Sequence, residues 1–210
     1  MLVKDFPECF GSYKIYEIVR NTMLHYAREV DIQQIFNAMV ADNATPADFL
    51  RKLAVHSKRH VNAAKSTEMV MAIKDKLTSL IGVYVEPREV RITKEGSETI
   101  RIYVENKMDA MFKFKVGLQQ LDRETTSLLH DHVKQFTYTK MIKSIPIAAG
   151  ETHVFKFLIK PDVFGINDIY ELKKNSKLLF TLGMQVAVDG VDGQKTLLHK
   201  IPVSIVKAKL

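Results

Sequence analysis

His56 and His60 stand four residues apart in a helical pattern, which would place both imidazoles on one helix face, the arrangement a pair of metal ligands needs. The residues between them, Ser57, Lys58 and Arg59, supply no carboxylate and bring two cations that oppose a divalent ion. A solvated polar face is the expectation there. His130-Asp131-His132 would set two imidazoles on one side of an extended segment, with His153 or His199 as a further ligand. Nothing in that spacing demands a metal, and a surface loop is expected. Cys9 lies between Phe6 and Phe10 with no histidine near it in sequence, so it reads as a small buried hydrophobe and not a nucleophile. No catalytic, cofactor-binding or metal-binding residue is expected.

A cationic set is the candidate for holding a ligand. On one continuous helix, Arg51, Lys58 and Lys65 form a heptad row, and Lys52 and Arg59 form a second row beside it. Together they would make a stripe about 20 Å long that could follow a phosphate backbone. The stripe comes without a recognition-helix pattern or stacking aromatics, so polyanion binding stands second to a solvated or partner-facing surface. Further cations, Arg91, Arg101, Lys113, Lys115, Lys156, Lys160 and Lys200, fall on outward positions of predicted strands, where charge discourages edge-to-edge pairing. There is no Gly-rich phosphate loop and no Gly-x-Ser-x-Gly elbow.

The elements that must carry these residues follow from periodicity. Ile15, Ile18, Val19, Met23, Tyr26, Val30, Ile35, Phe36, Met39 and Val40 recur at steps of three and four, predicting an amphipathic helix over 13–41 capped by Ser12, with a break near Val30. Thr45-Pro46 opens a second helical stretch, which runs through Phe49, Leu53, Met69 and Ile73 to a stop at Gly82. Unbroken, the two would span about 45–50 Å each, and a two-helix hairpin cannot bury both stripes. Beyond Gly82 the period changes to two: Val90–Ile92, Ile100–Val104, Phe112–Val116, Phe155–Ile159, Phe180–Val188 and Leu197–Ile205, with short runs at Phe136–Met141 and Ile145–Ile147. Lys94–Ser97 and Asp189–Gly193 read as hairpin turns, and Pro202 predicts an edge strand. Asp162–Tyr170 is expected to cap the core.

The chain has 210 residues, 46% hydrophobic and 26% charged, which suits a packed core. Its net charge of +7 is spread over both parts and forms no arm or tail. The absence of an apolar run near about 18 residues argues against a membrane span. The start lacks a leader's apolar stretch, and one cysteine excludes an internal disulfide framework, so a cytoplasmic setting is expected.

Pro87 and Val90 before the first strand, Gly96 in its turn, Ile100–Val104 closed by Asn106, and Ala149-Gly150-Glu151 before Phe155–Pro161 resemble the immunoglobulin-like modules that lack a disulfide. The resemblance covers at most 87–210 and departs from antibody-type domains in lacking both core cysteines and the core tryptophan. It implies a sandwich that binds other proteins. The expected fold is α+β in two parts: a helical hairpin or bundle over 1–85 and an antiparallel immunoglobulin-like β-sandwich over 86–210. The expected function is non-enzymatic. The sandwich would present a surface to a protein partner, and the apolar helical stripe would drive homo-oligomerisation. Association with nucleic acid through the basic helix face is the alternative.

Overall fold

The computed structural model describes residues 7–93, 96–124, 141–160 and 177–206. The histidines at 130 and 132, the strand run ending at Met141 and the segment Asp162–Tyr170 lie wholly or largely outside them.

Among the described residues a 3-10 turn at Glu8–Phe10 leads into four α-helices: α1 (Tyr13–Met23), α2 (Glu29–Ala41), α3 (Phe49–Ser57) and α4 (Ala63–Leu77). Ser12 caps α1 as expected, its side chain accepting from the Ile15 amide. The two helical stretches fold as four short helices, so of the hairpin or bundle expected the structure has the bundle. The first break falls at Leu24–Arg28, ahead of Val30, and the second at Lys58–Asn62. There Asn62 starts a new helix by accepting from the Lys65 amide at 2.9 Å, leaving its own backbone extended. Apolar steps of three and four continue on both sides of each break, so periodicity alone could not locate them.

Folding back lets the helices bury their stripes on one another. Ile15, Val19, Met23, Ile32, Ile35, Phe36, Met39, Phe49, Leu50, Leu53, Met69 and Ile73 are all buried. Phe10 sits at the centre, its ring 5.4 Å from those of Phe36 and Phe49 and 5.7 Å from Tyr16. Such tilted and edge-on pairs add attraction beyond their buried area.

Eight strands follow among the described residues: β1 (Ile81–Glu86), β2 (Val90–Thr93), β3 (Glu98–Asn106), β4 (Phe112–Glu124), β5 (Met141–Ile147), β6 (Thr152–Ile159), β7 (Lys177–Val188) and β8 (Leu197–Val206). They form a three-stranded sheet, β1-β3-β6, and a five-stranded sheet, β2-β8-β7-β4-β5. Among the described residues every pairing is antiparallel except β2 with β8. This is the two-sheet, crossed-over arrangement of an immunoglobulin-like sandwich, and the protein is α+β. Ile100, Ile102, Val104, Phe155, Phe157 and Ile159 of one sheet face Val90, Phe114, Val116, Met184, Val186 and Val203 of the other, all buried.

Three local readings change. Gly82 does not stop a helix: α4 ends at Leu77, and Gly82 lies in β1, inside the part expected to be helical. A side chain there would come within 2.9 Å of Glu105 Cβ on β3, so glycine is required by cross-strand approach. The hairpin expected around Lys94–Ser97 is not formed, because β2 and β3 belong to different sheets. Pro202 is not on an edge strand, since β8 lies between β2 and β7; it falls just before the pairing with β2 begins at Val203. Its missing N–H is therefore lost where, among the described residues, only β7 is alongside.

One apolar cluster runs through both the helices and the sandwich. Polar ties cross the junction. Asp109, in the turn after β3, accepts from the Tyr13 amide at 3.1 Å and from the Ser12 hydroxyl, so the sandwich caps α1. Burial acts to raise the Asp109 carboxyl, but bonds from Ser12 and from the backbone at Asp109, Lys14 and Tyr13 hold it below the usual carboxylate range. Lys14 Nζ donates to the Lys107 carbonyl at 2.7 Å, Lys195 pairs with Asp75 at 2.6 Å, and the Asp192 amide donates to the Ala47 carbonyl at 2.6 Å. At the end of β3 the buried Asn106 amide donates to the carbonyls of Ala110 (2.8 Å) and Ile147 (2.9 Å) and accepts from the Met108 amide (3.0 Å).

Candidate partner-binding surface

The break between α3 and α4 rearranges the cationic stripe. Arg51 and Lys52 lie on α3, Lys58 and Arg59 in the turn, and Lys65 in the first turn of α4, so they do not form one helical row. Lys52 is largely buried between carboxylates, 3.4 Å from Asp48 and 3.9 Å from Asp42. Arg51 pairs with Asp48 at 3.0 Å. Two of the five cations are thus engaged in holding the start of α3, while Lys58, Arg59 and Lys65 are exposed.

The same break separates the histidine pair. His56 is buried on α3, its Nε2 3.0 Å from Asp42 Oδ2, and this bond is the main reason the Asp42 carboxyl is held below its ordinary value. His60 lies beyond the end of α3, in the turn. His153 packs its ring edge-on against Phe155 at 4.9 Å in the three-stranded sheet, whereas His199 is exposed on the five-stranded one. Among the described residues no group of three or more His, Cys, Asp or Glu could hold a metal ion. Cys9 is buried, as expected, and burial pushes its thiol up to about 11, where it is not a thiolate at neutral pH.

Two depressions stand out on the sandwich. The first, about 330 Å³, lies on the outer face of the five-stranded sheet. Its floor carries Gly117 of β4 with Gln185 and Ala187 of β7, and Ile142 of β5 and Lys115 of β4 stand beside them. The turn from Asp189 to Thr196 forms the rim. Gly190 and Gly193 take left-handed φ of 80° and 75°, which lets this turn fold tightly. Gln194 closes it, accepting from the Val188 amide at 2.9 Å and donating to the Val191 carbonyl at 3.1 Å. Asp189 anchors the rim to the sheet through Ser144 at 2.7 Å and Lys113 at 3.5 Å, and the Ser144 bond is the main cause of its lowered carboxyl.

The second depression, about 260 Å³, opens at the lateral seam where β1 of one sheet meets β8 of the other. Val83, Tyr84, Val85, Arg88, His199, Lys200 and Ile201 line it. Neither depression was read from the sequence, because each is assembled from strands distant in the chain. The outward small residues Gly117, Gly183 and Ala187 were the available signal for the first.

No protein-family model and no curated protein matches the chain. Solved structures resemble it weakly. A β-glucosidase from Listeria innocua is 13% identical with a TM-score of 0.37, over 59% of this chain and 16% of that one. A CARDB domain from Pyrococcus furiosus, solved with di-metal ions, is 10% identical with a TM-score of 0.37, over 60% and 94%. A class 5 fimbriae chaperone is 10% identical with a TM-score of 0.33, over 61% and 57%. The chain thus spans a small part of the β-glucosidase's length, and likenesses this weak carry no argument about activity or partner.

Proposed function

We propose that the chain is a non-enzymatic protein-binding module in which the outer face of the five-stranded sheet receives the partner and the helical bundle braces it. The depression floored by Gly117 and Ala187 carries this reading. Glycine inside a central strand sacrifices β-propensity and side-chain packing, and it recurs where another backbone approaches closely. Beside this open floor, Ile142 is 45% exposed and offers an apolar contact, and Lys115 and Gln185 offer polar ones, the mixture typical of a non-obligate interface.

The partner is a different protein in this reading. Self-association was motivated by an unburied helical stripe, and most of that stripe is buried inside the chain, with Val30 and Val40 left exposed. No helix among the described residues is long and apolar enough to cross a membrane.

The test compares cellular proteins retained by the immobilised chain with those retained by a Lys115→Glu/Ile142→Asp variant, after checking that both melt alike. Both positions are exposed, so folding should be unaffected. Proteins held by the wild type and reduced about tenfold or more by the variant are expected. Identical retention by the two would refute this surface.

A further inference from the structure

We infer that the seam between β1 and β8 accepts one extended segment of a partner protein, added as a strand to β8, with apolar side chains turned into the sandwich and carboxylates beside Arg88 and Lys200. The backbone supplies the first reason. Val203–Val206 of β8 have strands on both sides, β7 and β2, whereas among the described residues Leu197–Pro202 pair with β7 alone. The remaining edge is a template for another strand.

Coverage of the core supplies the second. Leu197 and His199 share the inward parity of the buried Ile201, Val203 and Ile205, yet His199 is exposed and Leu197 half-buried. Across the seam Val83 and Val85 pair with the buried Val104 and Ile102 and are themselves only half-buried. Among the described residues the sandwich is therefore incompletely closed on this side. On the opposite side Lys143 of β5, paired with the buried Val116, reaches across to donate to the Lys156 carbonyl of β6 and lies 5.1 Å over the Phe157 ring. No such cover is found at the β1–β8 seam among the described residues.

Charge selects the occupant. Arg88 and Lys200 are exposed on the seam's walls with no ion pair among the described residues. Of the carboxylates beside them in the chain, Glu86 is engaged by the phenols of Tyr84 at 3.0 Å and Tyr103 at 3.1 Å, and Glu89 pairs with Arg91 at 2.9 Å. Apolar residues facing in and cations on the walls fit a segment in which hydrophobic and acidic residues alternate.

Fluorescence anisotropy with the full chain and three labelled peptides tests this. One alternates valine and glutamate, the second replaces glutamate with lysine, and the third is the glutamate peptide N-methylated at every amide. The glutamate peptide is expected to bind about tenfold or more tighter than the lysine peptide, and N-methylation to abolish its binding. Arg88→Glu/Lys200→Glu should reverse the preference, whereas Lys115→Glu/Ile142→Asp should leave it unchanged, which separates this seam from the outer face. No binding by the glutamate peptide, or binding indifferent to N-methylation, overturns the proposal. So does loss of binding in the outer-face variant.

Discussion

Asn106 holds the end of β3 with both ends of its amide, and replacing it strands the Ala110 and Ile147 carbonyls and the Met108 amide. Asn106→Ala should cost about 2–4 kcal/mol, read as a lower urea midpoint, because buried unpaired groups bear their full desolvation penalty. Asp109 makes a different case, since its role depends on charge. Its folded carboxyl titrates below its unfolded value, so its contribution is whole above about pH 4 and is lost as pH falls through the depressed value. The gap in urea midpoint between wild type and Asp109→Asn should be widest at neutral pH and narrow toward about pH 2. In the sequence Asn106 was visible as a residue closing a strand, and Ser12 as a cap. Asp109 was not, because it caps a helix from almost a hundred positions away, and no local pattern records such a partner.

Between α3 and α4, the turn depends on Asn62, and Asn62→Ala should destabilise the chain by about 1 kcal/mol in chemical denaturation. The break also shows where element reading stops. Steps of three and four identified the buried faces of all four helices, and the alternation in β3, β4 and β6 identified the residues that fill the sandwich. What they could not supply was continuity or partnership. Lys58 looks the same to a periodicity argument whether it continues a helix or ends one. Gly96 announced a turn, but a turn between paired strands and a turn between sheets share the same residues. Pro202 signalled a missing neighbour correctly for its own position and wrongly for the whole of β8, whose pairing changes one residue later.

Across the molecule, the apolar cluster that spans helices and sandwich predicts that neither part melts alone. Helix content by circular dichroism and tyrosine fluorescence should report one coincident urea transition, and separate midpoints would show that the junction is weaker than its contacts imply. That junction has a mechanical meaning. α4 passes through the turn Thr78–Leu80 into β1 without a spacer, and Lys107 donates back to the Leu80 carbonyl at 3.0 Å. Asp109 and Lys195 grip α1 and α4 on either side of it. Bundle and sandwich are thereby coupled like the arms of a bracket. A torque applied at one is passed to the other, and whatever docks on the sheet is held at a set bearing to the helices, without the free swivel of a tethered cargo.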